Sequence, residues 1–208
     1  MKKYLSSVLI AGSVCLATLI AFSTKTVKAD VSPGQAVPDF SLTDSEQQKH
    51  ALSDYRGKYV ILEWVNHDCP FVRKHYDSGN MQALQKKYRA LGVVWLSVNS
   101  SSPGKQGHCS PEQAGQLTQE KGADPDAVLL DPDGAVGRMY GAQTTPHMFI
   151  IDPEGTLIYQ GAIDDKPTTD PQDIADSVNY VTQAMDEAVA GKKVSVAATK
   201  SYGCSVKY

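Results

Sequence analysis

Three apolar runs dominate the chain: Tyr59–Leu62, Val93–Val98 and Met148–Ile151. Runs of this length, bounded by turn residues and rich in β-branched and aromatic side chains, predict strands buried on both faces. Residues 30–40 are turn-rich and carry Pro33 and Pro38, which argues against a long helix there. Phe40 and Leu42 alternate with polar neighbours, and a polar turn over Asp44–Lys49 leads to Ala51 and Leu52, so a β-hairpin is expected before the central strand at 59–65. From Cys69-Pro70 the chain is compatible with helix to about Tyr76, where Asp77-Ser78-Gly79 interrupts it. Met81, Leu84, Tyr88 and Leu91 then recur at three and four, marking an amphipathic helix ended by Gly92. Pro111 to Lys121 reads as a helix, Ala127–Leu130 as a short strand, and Asp131-Pro-Asp-Gly134 as a turn. Met148–Ile151 and Thr156–Tyr159 flank Asp152-Pro-Glu-Gly155, the pattern of a hairpin. Ile174, Val178, Val181, Met185 and Ala188 mark one face of a closing helix. This order of strands and helices predicts an α/β sandwich in one domain.

The ends of the chain add to that picture. Met1-Lys2-Lys3 is followed by an uncharged, mostly apolar stretch from Tyr4 to Phe22, then by a polar segment with small residues at Val27-Lys28-Ala29. This is the make-up of a secretory signal peptide cut after Ala29, with an uncleaved anchor as the rival reading. Secretion or a periplasmic location is expected, with no stable membrane insertion after cleavage. Removing 29 of the 208 residues leaves 179, one domain spanning 30–190 and a tail over 191–208. Lys2, Lys3, Lys25 and Lys28 leave with the leader, which takes the formal charge from −3 to −7. An acidic chain without basic clusters argues against nucleic acid as a partner. Cys69, Cys109 and Cys204 remain, and an odd count in an exported protein points to a disulfide plus a free thiol, or to a working thiol with a transient partner.

The chemistry centres on Trp64-Val-Asn-His-Asp-Cys69-Pro70-Phe71-Val72. A cysteine just before a proline that opens a helix faces unpaired backbone N–H groups and the positive end of the helix dipole, both of which favour a thiolate. His67, Arg73, Lys74 and His75 are close in sequence and could lower the thiol pKa, although Lys74 reads as part of a solvated face. Attack by Cys69 on a disulfide or a peroxide leaves a mixed disulfide or a sulfenic acid that a second thiol must resolve. Cys204, in a flexible-looking, Gly-containing tail able to fold back, ranks ahead of Cys109; a static disulfide or a buried thiol is the alternative for it. Asp164-Asp165 reads as a loop end or helix cap. Cys69, His67, His108, Cys109 and His147 include soft ligands suited to copper(I) or zinc, so a metal carrier is the rival reading from another class, but their spacing lacks a tight Cys-x-x-Cys pair.

Several spaced segments carry a resemblance: Gly34-Gln-Ala-Val-Pro-Asp-Phe40-Ser-Leu42, Leu52-Ser-Asp-Tyr-Arg-Gly57-Lys58, and Tyr140-Gly-Ala-Gln-Thr-Thr145-Pro146-His-Met-Phe-Ile-Ile-Asp152. Together with Cys69 at the end of the first central strand, they make the chain resemble a thioredoxin-like redoxin. More narrowly, it is similar to peroxiredoxin-like proteins of the alkyl hydroperoxide reductase/thiol-specific antioxidant superfamily. Two departures matter. Peroxiredoxins place Thr or Ser three residues before the peroxidatic cysteine and a guanidinium shortly before the Phe-Ile-Ile-Asp strand; here those places hold Asn66 and Pro146. Thioredoxins use Cys-x-x-Cys, and the second position here is Val72. The resemblance implies a thioredoxin-like α/β fold and a thiol-based oxidoreductase with Cys69 as nucleophile. Thr145-Pro146 would be the cis-proline loop that offers backbone hydrogen bonds to a substrate peptide. The expected partners are a thiol or disulfide protein, or a peroxide, and an electron-donating thiol protein. No bound cofactor is expected.

Overall fold

The computed structural model describes residues 31–208; the expected leader over 1–29 lies outside the described residues. Seven strands form one sheet. They are β1 (Ser41–Asp44), β2 (Lys49–Ala51), β3 (Val60–Trp64), β4 (Val94–Asn99), β5 (Ala127–Leu130), β7 (His147–Ile151) and β8 (Leu157–Gly161). Their order is β2-β1-β5-β4-β3-β7-β8. The centre, β5-β4-β3, is parallel, and β7, β8, β1 and β2 are added antiparallel. A second, two-stranded sheet pairs β6 (Thr144–Thr145) with β9 (Cys204–Ser205). This is the thioredoxin-like α/β arrangement that the resemblance implies, with the β1–β2 hairpin as an N-terminal addition.

The unbroken apolar runs are explained by burial on both faces. Because successive strand side chains point to opposite sides, Ile61, Trp95, Met148 and Ile150 join one core layer, while Val60, Leu62, Trp64, Val94, Leu96, Phe149 and Ile151 join the other. The first layer is closed by α1 (Pro70–Asp77), α2 (Asn80–Arg89) and α5 (Tyr180–Val189). The second is closed by Val37, Phe40 and Leu52 from the N-terminal segment and by Val136 and Tyr140 of α4 (Ala135–Tyr140). Helix α3 (Pro111–Glu120) has a capping box, with Ser110 Oγ accepting from the Gln113 amide at 3.2 Å and the Gln113 side chain returning to the Ser110 amide at 2.9 Å.

Two expectations are corrected. The closing helix starts later than the apolar face implies: Pro171–Ile174 is a separate 3₁₀ turn, and Asn179 caps α5 by accepting from the Thr182 amide at 2.9 Å. Val178 consequently lies outside the helix and is exposed. The C-terminal segment is docked rather than loose. Thr199 bonds the Gln160 carbonyl at 3.0 Å, Val206 bonds Gln143 at 3.0 Å, Lys207 accepts from the Ser102 amide at 2.8 Å, and Tyr208 reaches the Ala142 carbonyl at 2.8 Å.

Candidate active site

Strand β3 delivers the chain to the turn Val65–Asp68, and that turn is fixed by Asn66. Its side-chain oxygen accepts from the Asp68 amide at 2.9 Å, its amide donates to the Gln106 carbonyl at 3.2 Å, and its carbonyl accepts from the Cys69 amide at 3.0 Å. Cys69 then sits at the N-cap of α1 with Pro70 in the first turn, as its sequence context predicts. The side chain is fully buried.

Thr145 and Pro146, joined by a cis peptide bond, meet Cys69 from the start of β7, the strand next to β3, where His147 lies opposite Trp64. The Thr145 carbonyl is 3.0 Å from Cys69 Sγ, and the Thr145 hydroxyl is buried without a hydrogen-bond partner among the described residues. On the outer edge of this loop lies β9, antiparallel, with Thr144 opposite Ser205 and Thr145 opposite Cys204. That register puts Cys204 Sγ 2.7 Å from Cys69 Sγ, as two separate thiols. Gly203 makes the approach possible: at φ +140° its Cα faces the loop, and a Cβ there would stand 2.2 Å from the Thr145 carbonyl oxygen. The four residues expected at the site, Cys69, Cys204, Thr145 and Pro146, are therefore one constellation. Cys109 is elsewhere, in a cleft of about 260 Å³ shared with His67, Asp68 and Asn99, where it accepts from Asn99 Nδ2 at 3.3 Å.

The two sulfurs are electrostatically unequal. Burial pushes the Cys69 thiol up, but hydrogen bonding from the Cys204 thiol and from backbone N–H groups, including those of Phe71 and Val72 in the first turn of α1, more than offsets it; the net value is lowered. Cys204 is pushed up to about 11, first by burial and then by the neighbouring Cys69 sulfur, with Lys207 and Arg73 acting the other way. Of the two thiols, Cys69 is therefore the one that ionises more readily.

The basic groups beside Cys69 in sequence do not supply that charge stabilisation as expected. Burial lowers His67 and His75 each to about 4, so both are neutral near pH 7. Lys74 is not on a solvated face: it is completely buried, 3.1 Å from Asp164 and 2.7 Å from the Lys166 carbonyl. Asp164 is accordingly the buried counter-charge of Lys74, while Asp165 accepts from the Val178 amide at 2.9 Å. Burial lowers His147 to about 4 as well, and its Nδ1 accepts from the Gln143 amide at 3.3 Å. Among the described residues, no three His, Cys, Asp or Glu side chains are grouped so as to hold a metal ion.

Two polar groups, one buried and one half-buried, are not signalled by any short-range motif. Glu63 on β3 is fully buried and accepts from Tyr76, Trp95 and Ser97 at 2.9, 2.9 and 3.2 Å; burial raises its carboxyl. Tyr202, two residues before Cys204, donates to Asp164. A charged residue inside the apolar run Tyr59–Leu62-Glu-Trp is the one sequence signal that points to Glu63.

Comparison with known proteins agrees with this architecture. Residues 33–160 match the family model described as AhpC/TSA family. The thiol-disulfide oxidoreductase ResA of Geobacillus thermodenitrificans is 31% identical over 136 residues, which covers 64% of this chain and 70% of that protein. The thioredoxin-like protein YneN of Bacillus subtilis is 26% identical over 159 residues, covering 76% of this chain and 88% of that one. A hypothetical protein of Sinorhizobium meliloti 1021 has a similar structure, with a TM-score of 0.71 at 23% identity over 86% of this chain and 96% of that one.

Proposed function

Since this chain belongs to the AhpC/TSA family and is a thiol-based oxidoreductase, we propose that it carries out thiol–disulfide exchange on protein substrates, with Cys69 as nucleophile and Cys204 as resolving thiol. The observation that carries this reading is the placement of Cys204 in the β6–β9 ladder, opposite Thr145 and 2.7 Å from Cys69.

The chemistry follows from the unequal thiols. The Cys69 thiolate attacks one sulfur of a substrate disulfide, a Cys69–substrate bond forms, and the other substrate sulfur leaves as thiolate and takes a proton. Forming that bond removes the negative charge from Cys69. The charge that, after burial, helped to raise the Cys204 pKa is then gone, and Lys207 and Arg73 continue to favour ionisation. Cys204 loses its proton and attacks Cys69 Sγ; the second substrate sulfur leaves with the electron pair. The substrate has gained two electrons and two protons, and the protein holds a Cys69–Cys204 disulfide for another thiol protein to reduce. Thr145 and Pro146 would position the substrate backbone once β9 has moved off that edge. With residues 1–29 as a cleaved signal peptide, the protein would act after export, in the periplasm or outside the cell; no helix among the described residues is long and apolar enough to cross a membrane.

The test is trapping. Full-length mature Cys204→Ser is incubated with a disulfide-containing peptide and its adducts are mapped by mass spectrometry. The reading expects a stable Cys69–peptide mixed disulfide that the wild type releases. Absence of a Cys69 adduct, or release through Cys109, overturns it. Oxidation of Cys69 by hydrogen peroxide faster than by the peptide would favour peroxide as substrate instead.

A further inference from the structure

We infer that Tyr202 is the positioning residue that holds Cys204 against Cys69, through a latch built on the same helix that Cys69 caps; the inference rests on Cys204 being the resolving thiol. The phenol donates to the Asp164 carboxylate and lies 3.3 Å from His75 Nε2. Its ring meets the edge of Phe71 at 5.8 Å between centroids, and Lys74 Nζ is 5.6 Å from its centroid. Phe71, Lys74 and His75 all belong to α1. One rigid element therefore presents the nucleophile at its N-cap and the anchor for the second thiol along its flank.

The socket is fixed before Tyr202 enters it. Asp164 is held by Lys74 at 3.1 Å and by the Lys166 amide at 3.0 Å, and His75 Nδ1 accepts from Asn80 Nδ2 at 2.9 Å. With Nδ1 accepting, a neutral His75 carries its proton on Nε2 and donates toward the Tyr202 oxygen. Donation then runs in one direction, from Asn80 through His75 and Tyr202 to Asp164. Buried polar groups of this kind are stabilising only when each has its partner, so withdrawal of Tyr202 leaves Asp164 and His75 short of one each. Cys69 is fully buried with the tail in place. A latch that raises the effective concentration of Cys204 at Cys69 must also slow access of any external reagent to Cys69. The two effects have opposite signs, and release of the tail moves both together while leaving the central strands closed.

The experiment uses Tyr202→Phe, which keeps the ring and removes the hydroxyl, in two full-length mature backgrounds. With Cys204→Ser, iodoacetamide labelling of Cys69 is timed and followed by peptide mass. With all cysteines intact, the Cys69–Cys204 disulfide is equilibrated with reduced and oxidised glutathione. Loss of a hydrogen bond to a charged group corresponds to about tenfold or more. Labelling should therefore quicken about tenfold, and the effective concentration should fall about tenfold. Amide exchange of Val206 should rise while that of β3 and β4 stays unchanged, which separates release of the tail from loss of the fold. Labelling and effective concentration both within twofold of the Tyr202 proteins would overturn the latch, as would a rise in exchange throughout the sheet. If Cys69 and Cys204 do not pair in the wild type, the redox reading of Cys204 falls. Labelling in the Cys204→Ser background still decides whether Tyr202 holds the strand.

Discussion

Cys69 and Cys204 share one environment yet titrate in opposite directions, and the difference is traceable to who donates. The first favourable influence on Cys69 is the hydrogen bond from Cys204. Cys204→Ala removes it and should move the Cys69 pKa upward towards that of an ordinary thiol, read from thiolate absorbance against pH; Cys204→Ser, which retains a donor, should move it less. Gly203 is the second residue-scale determinant. Gly203→Ala would place a methyl 2.2 Å from the Thr145 oxygen at a backbone angle that alanine rarely adopts. The expected outcome is displacement of β9, seen as labelling of Cys69 about tenfold faster, with little change in the far-ultraviolet spectrum. The N-cap placement of Cys69 was legible in the sequence because a cysteine before a helix-opening proline is a local pattern. The socket of Tyr202 was not, because its partners are 38 residues away at Asp164 and 127 away at His75.

At the scale of elements, α1 does more than its sequence pattern indicates. A lysine between Val72 and Tyr76 looks like a polar flank, but the loop after β8 brings Asp164 over it and converts it to an interior charge pair. Removing one member of such a pair leaves the other buried and unpaired, which costs about 3–5 kcal/mol. Lys74→Met is expected to lower stability to urea by that order, and Lys74→Met with Asp164→Asn should recover part of it. The central strands were legible because β3, β4 and β7 are apolar on both faces and so interrupt the polar pattern of the chain. Helix α5 starts later than its apolar spacing implies for a definite reason: Ile174 and Val178 extend the helical spacing by coincidence, whereas the Asn179 cap, a local signal, marks the true beginning. Helix α4, six residues opened by Gly134 and containing Gly137, is too short for periodicity to reveal.

The whole molecule has a pH response that follows from its interior. His67, His75 and His147 are held by burial at about 4, against an ordinary 6.5. In the unfolded chain each takes up a proton near pH 6.5, while in the folded protein each resists until about pH 4. Their depressed values therefore favour the fold above pH 6.5, and that contribution is lost as pH falls from 6.5 to 4. Three such protons give a slope of at most about 4 kcal/mol per pH unit. Urea unfolding of the reduced protein between pH 7 and pH 4.5 should show stability falling through this window, and His147→Gln should flatten the slope by about one third.

The central claim, that Cys69 and Cys204 form the working pair, is met most directly by disulfide mapping of the wild-type mature protein. The reduced protein is exposed to oxidised glutathione, alkylated and digested for mass spectrometry. The account predicts a Cys69–Cys204 disulfide that dithiothreitol reverses, with Cys109 recovered as an alkylated free thiol. A Cys69–Cys109 disulfide, or Cys69 and Cys204 both recovered as free thiols under conditions that oxidise a peptide dithiol, would contradict it.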